Sequence, residues 1–201
     1  MPEAPLTTDL VRAFVIAAHG DLPKVRLMLA DHPALLTAAT EWQPGESETA
    51  LQAAAHVGDA AIARFLLSHG APIDICTAAM LGHRRPVEYL LEEDSALIHA
   101  RGAHGISVLA HAAWSGDVAL VAALVARGAR DGMDQALSHA VSRGHLDLAA
   151  WLLEHGRADP HWKNYQGKTA LMIARERQDA EMADLLERGG ARMENLAARG
   201  S

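Results

Sequence analysis

Ala54-Ala55-His56-Val57-Gly58-Asp59 is the stretch on which the fold turns, because the chain repeats it. The pattern returns as Ala112-Ala113-Trp114-Ser115-Gly116-Asp117, and in looser form as Ala78-Ala79-Met80-Leu81-Gly82-His83 and Ala140-Val141-Ser142-Arg143-Gly144-His145. Two outer copies end at Gly20-Asp21 and Gln178-Asp179. Self-similarity at intervals of tens of residues marks a stacked-repeat architecture, in which each unit buries its apolar face only against its neighbours.

Working outward from each copy, an apolar stripe at helical spacing follows: Ile62, Phe65 and Leu66 after one copy, Leu148, Trp151 and Leu152 after another. A period of 3.6 predicts a second, amphipathic helix. Most units then close on glycine, as in Ser68-His69-Gly70-Ala71 and Ala126-Arg127-Gly128-Ala129, the pattern of a left-handed helix stop. One unit is thus a short Ala-rich helix, a tight turn, a longer helix and a Gly stop. The connections between units alternate. Long ones, such as Ala100-Arg101-Gly102-Ala103-His104-Gly105 and Lys163-Asn164-Tyr165-Gln166-Gly167-Lys168, have the turn chemistry of a projecting finger. Short ones, Asp74-Ile75-Cys76 and Asp131-Gly132-Met133-Asp134, leave no room for one. The true period is therefore a pair of units.

Composition agrees. Of 201 residues, 50% are hydrophobic but only 4% aromatic, so the core is built from small and aliphatic side chains, which favours close helix-on-helix packing. A net charge of −7 with no basic run disfavours nucleic acid as a partner. The first residues lack the features of a signal peptide, and no stretch reaches 18 uninterrupted apolar residues, so a membrane is not expected and a cytoplasmic protein is. The one cysteine, Cys76, lies in an apolar helical stretch and reads as an inert core thiol.

Gly167-Lys168-Thr169-Ala170-Leu171-Met172-Ile173-Ala174 resembles the ankyrin signature G-x-T-P-L-H-x-A, and Glu48 to Ala55 and Gly105 to Ala112 resemble degenerate copies of it. The resemblance spans roughly residues 8–192, about six repeats, with 1–7 an N-terminal extension and 193–201 a tail. It implies an all-α ankyrin solenoid of helix-turn-helix units with short β-turn fingers, whose fingers and first helices line a concave partner-binding face. The signature Pro and His are replaced throughout, by Ala50, Val108 and Ala170 and by Gln52, Ala110 and Met172. These turns are accordingly expected to be held more by packing than by the polar link those residues make in the family. The Ala, Gly and Arg usage resembles that of bacterial ankyrin proteins.

The residues just before each marker position describe the concave face, and Trp and Arg are frequent interface anchors. Trp114, flanked by Met80, Leu81 and Arg143, is the expected contact patch, with His56, Arg177 and the finger residues His104 and Tyr165 extending it. His111 and His139 fall at matching places in consecutive units, where other units carry Ala53, Thr77 or Ile173. Three readings of this pair stand: neutral core histidines, a shared ligand pocket, or acid–base groups. His69 and His155 are expected beside helix stops, His83 and His145 at helix starts. Phosphate-cradling loops, nucleophile motifs and metal-ligand spacings are missing, so no cofactor and no metal is expected. The expectation is a non-catalytic, monomeric module that binds another protein on its concave groove. The alternative is a small-molecule-binding or catalytic protein built around His111 and His139.

Overall fold

The computed structural model describes residues 5–192; the expectations for 1–4 and for the 193–201 tail lie outside the described residues. Twelve α-helices fall into six pairs: α1 (Thr8–Ala17) with α2 (Leu22–Asp31), α3 (Ala50–His56) with α4 (Ala60–Ser68), α5 (Ile75–Met80) with α6 (Arg84–Glu93), α7 (Val108–Ala113) with α8 (Val118–Ala126), α9 (Met133–Arg143) with α10 (Leu146–Glu154), and α11 (Ala170–Glu176) with α12 (Ala180–Arg188). Odd-numbered helices touch one another in succession and form an inner row; the even-numbered ones lean on them as an outer row.

Sequence sets the helix ends. Thr7, Thr49, Asp74, Ser107 and Thr169 each accept a hydrogen bond from a backbone N–H in the first turn of their inner helix, while Asp21, Asp59, Asp117 and Asp179 do so for outer helices. Such caps satisfy donors that the helix itself leaves without partners. Gln52 returns the bond to the Thr49 N–H, completing a capping box. The expectation that these turns rely on packing in place of polar links is therefore corrected: Thr and Ser keep the link without the signature His.

Small residues let the inner row close up. Ala53, Ala54, Ala78, Ala79, Ala112, Ala113, Ala136, Ala140 and Ala174 are all buried in it, and Leu and Ile of the outer row seal the other side. The core forms two clusters, one from Val11 to Leu81 and one from Ile75 to Ala191, which meet at α5. Cys76 is buried there, and burial pushes its thiol up to about 12, so it is a core group with no nucleophilic character at neutral pH.

Among the described residues, only the first, third and fifth pairs are followed by fingers. The first is a two-stranded antiparallel ribbon, β1 (Ala39–Gln43) with β2 (Glu46–Thr49). The second is pinned by the Arg101–Ser107 bridge and carries His104 at its tip with φ +56°, in the left-handed region that a side chain ordinarily avoids. The third is a turn in which the Asn164 side chain accepts from the Gln166 and Lys168 N–H groups. Since the second pair is followed by no finger, the first two fingers meet across the gap, β2 lying against the turn that bears His104. No helix among the described residues is long and apolar enough to cross a membrane.

Candidate functional site

Two constellations occupy the ends of the inner helices. The first gathers around Glu48, whose side chain on β2 is only 1% exposed. The carboxylate accepts from Trp42 Nε1 at 2.7 Å and from His56 Nδ1 at 2.8 Å. Burial pushes its pKa up, but those two bonds and the nearby His56 and His19 outweigh burial and leave it below the ordinary value. His19 Nε2 and His104 Nε2 approach the same carboxylate to 3.9 Å each, beyond hydrogen-bond reach. Their Nδ1 atoms are already committed, His19 donating to the Val15 carbonyl at 2.9 Å and His104 to Glu46 Oε1 at 2.7 Å. The His56 ring stands edge-on to both neighbours, with centroids 4.9 Å from His19 and 4.7 Å from His104. One ligand atom from each of His19, Glu48, His56 and His104 lies within 4.8 Å of the others.

The second constellation centres on Trp114, just past the end of α7. Its indole N–H donates to the His56 carbonyl at 3.2 Å, two pairs away in the stack. The ring stacks on His139 at 4.0 Å and 16°, and the Arg143 guanidinium covers it at 5.2 Å while donating to the Gly58 carbonyl at 2.7 Å. Gly58, at φ +72°, allows this approach: a Cβ there would come within 2.6 Å of the indole. His145 Nε2 donates to the Trp114 carbonyl at 3.1 Å, and Arg177 repeats the Arg143 gesture one pair later on the Ser142 carbonyl at 2.7 Å. Cations directed at helix-end carbonyls also complement the helix dipole.

The sequence matches the ankyrin-repeat model in three copies over residues 109–195 and the single ankyrin-repeat model over residues 47–78. The chain belongs to the ankyrin-repeat family. An ankyrin repeat domain of known crystal structure from Acinetobacter baumannii AYE is 25% identical, with a TM-score of 0.50 and an alignment covering 90% of this chain and 98% of that one. No curated protein matches.

Against the ankyrin groove, the residues singled out from sequence divide into three groups. Met80 and Leu81 are buried in the N-terminal core, against which Trp114 packs, so they offer no contact surface. That corrects the expected patch: Met80 and Leu81 belong to the core, and Trp114, packed on that core, braces the stack. His111 and His139 do not converge on an open pocket. His111 is 1% exposed, donates from Nδ1 to the Ser107 carbonyl and abuts Gly102, while His139 donates to the Ala110 carbonyl under Trp114. Burial lowers the pKa of both, His139 to about 4, so His111 is a neutral core imidazole, His139 a neutral one partly buried under Trp114, and the first of the three readings is the one their geometry fits. Arg143, Arg177, His104 and Tyr165 are exposed, and His56 is half-buried beside Glu48.

His69 sits at its helix stop with Nδ1 donating to the Phe65 carbonyl, and His83 and His145 hold the residue just before their helices. Sequence reasoning missed His19, Glu46 and Glu48. His19 does precede the marker Gly20, the same register in which His56 was noticed; Glu48 carries no signal beyond its place in a finger.

Proposed function

We propose that this ankyrin-repeat protein binds another protein, without catalysis, along its finger tips and the exposed ends of its inner helices, with Tyr165 as an anchor. The observation that carries this reading is Tyr165 itself, 93% exposed at the tip of the third finger. The Asn164 side-chain bonds fix the backbone of that turn, so an aromatic ring is held out in solvent with little left to order on binding. Tyr and Arg are enriched at interface centres, and the exposed Arg177 stands at the end of the helix that follows the same finger. His104 marks the far end of the surface, and Arg143 with Trp114 forms its floor.

A photo-crosslinking residue at position 165, compared with one at Tyr89 on the outer helix α6, tests the reading. A single crosslinked protein obtained at 165 and absent at 89 is expected. Crosslinking only at 89, or at neither position, overturns it.

A further inference from the structure

We infer that His19, Glu48, His56 and His104 form a binding site for a divalent transition-metal ion of the zinc class. The inference stands apart from the protein-binding reading and uses other residues, apart from the finger that carries His104.

Hydrogen bonding in the cluster sets His19 and His104 up as ligands, while His56, whose Nδ1 donates to Glu48 in the metal-free chain, joins them once that proton moves to Nε2 or is released on binding. A backbone carbonyl only accepts, so the Val15 carbonyl fixes the proton of His19 on Nδ1 and leaves the Nε2 lone pair bare. Glu46 does the same for His104. In metal sites, histidine ligands almost always donate their other N–H to a carbonyl or carboxylate in this manner, which fixes the ring and raises its basicity. Both bare nitrogens face the buried Glu48 carboxylate from 3.9 Å. That separation is too long for a hydrogen bond and close to the separation of roughly 3.3 Å expected between ligand atoms bound about 2.0–2.1 Å from one tetrahedral ion. The four ligand atoms lie within 4.8 Å of each other, so small rotations of two partly exposed imidazoles complete the set.

Glu48 does not require this company. Trp42 and His56 already satisfy its oxygens, so His19 and His104 add two further imidazoles to a carboxylate that has its hydrogen bonds. The backbone of His104 is held in the left-handed region to bring its ring there, and such strain concentrates at binding sites. Three imidazoles with one carboxylate suit zinc and its neighbours; magnesium and calcium favour all-oxygen sets. A bound ion would tie the end of α1, the end of α3 and two fingers into one unit.

Calorimetric titration of zinc chloride into the full-length, chelator-stripped chain tests this, with cobalt(II) absorption reporting the coordination geometry. One equivalent is expected to bind, with cobalt giving the intense visible bands of a tetrahedral site, and magnesium giving no heat. His104→Ala, on an exposed finger and so safe for folding, is expected to weaken zinc by more than the roughly 10- to 100-fold that loss of a ligand's hydrogen-bond partner costs, and Glu46→Gln by about tenfold. His155→Ala, far along the stack, leaves it unchanged. Absence of zinc binding by the parent chain overturns the assignment. So does binding that persists unaltered in both His104→Ala and His19→Ala, which would place the ion on other histidines.

Discussion

Around Glu48, two imidazoles pin one nitrogen and leave the other facing a carboxylate across 3.9 Å. Around Trp114, 10 residues past His104 in the chain, the indole N–H, its faces and the Arg143 guanidinium all have partners inside the protein. Both groups occupy the ends of inner helices and both join pairs that are not neighbours in the stack. The first arrangement keeps polar atoms available, while the second uses them to hold the curve. A site on a repeat scaffold is thus found by asking which atoms remain uncommitted, since position within the repeat is shared by both.

Truncating the brace is the strongest way to break that contrast. Trp114→Ala is expected to cost about 3–5 kcal/mol in denaturant unfolding, because it removes an indole packed on the N-terminal core and takes the donor from the His56 carbonyl. A loss below about 1 kcal/mol would mean the ring is a free contact after all. Acid comes next. An unfolded imidazole takes up its proton at about pH 6.5; His139, partly buried under Trp114, does so only at about 4. Between those values the unfolded chain binds a proton that the native chain does not, so stability falls as pH drops through that window, by up to about 3 kcal/mol for this residue alone. His139→Gln should flatten the slope measured by unfolding at stepped pH.

A smaller effect is expected of Gly58→Ala, about 2 kcal/mol, from a side chain at positive φ pressed on the indole. It should be largely relieved in the Trp114→Ala background, which a double-mutant cycle reads directly. The smallest change sharpens the comparison from the other side. In metal-free chain, His104→Ala is expected to move stability by less than about 0.5 kcal/mol, since its ring is 43% exposed and sits on a finger.

The fold was legible because repetition multiplies a weak signal: six in-phase copies of a short Ala-rich helix, a turn and an apolar stripe leave few alternatives. Helix stops were legible too, Gly70 and Gly128 standing at φ +94° and +103° as the left-handed reading implies. The site was not, for a reason specific to this stack. Met80 and Leu81 stand in the register of exposed groove residues, yet both are buried in the N-terminal core on which Trp114 of the next pair packs. His19, Glu48 and His104 come together only because a pair without a finger lets two fingers touch. Spacing within a unit records neither event, since both depend on contacts between units. His111 and His139 share a register, but each donates to a different backbone carbonyl, so matching positions did not mean a shared pocket.

The bond from Arg143 to the Gly58 carbonyl spans the third and fourth pairs without involving either. Repeat arrays are usually extensible, because each unit answers only to its neighbours. Here the fifth pair must arrive at a set distance from the second, so inserting or deleting a two-unit module between them would leave a donor and an acceptor that no longer meet. In its middle section the chain behaves as a fixed-length part, one whose number of units is written into its own cross-links.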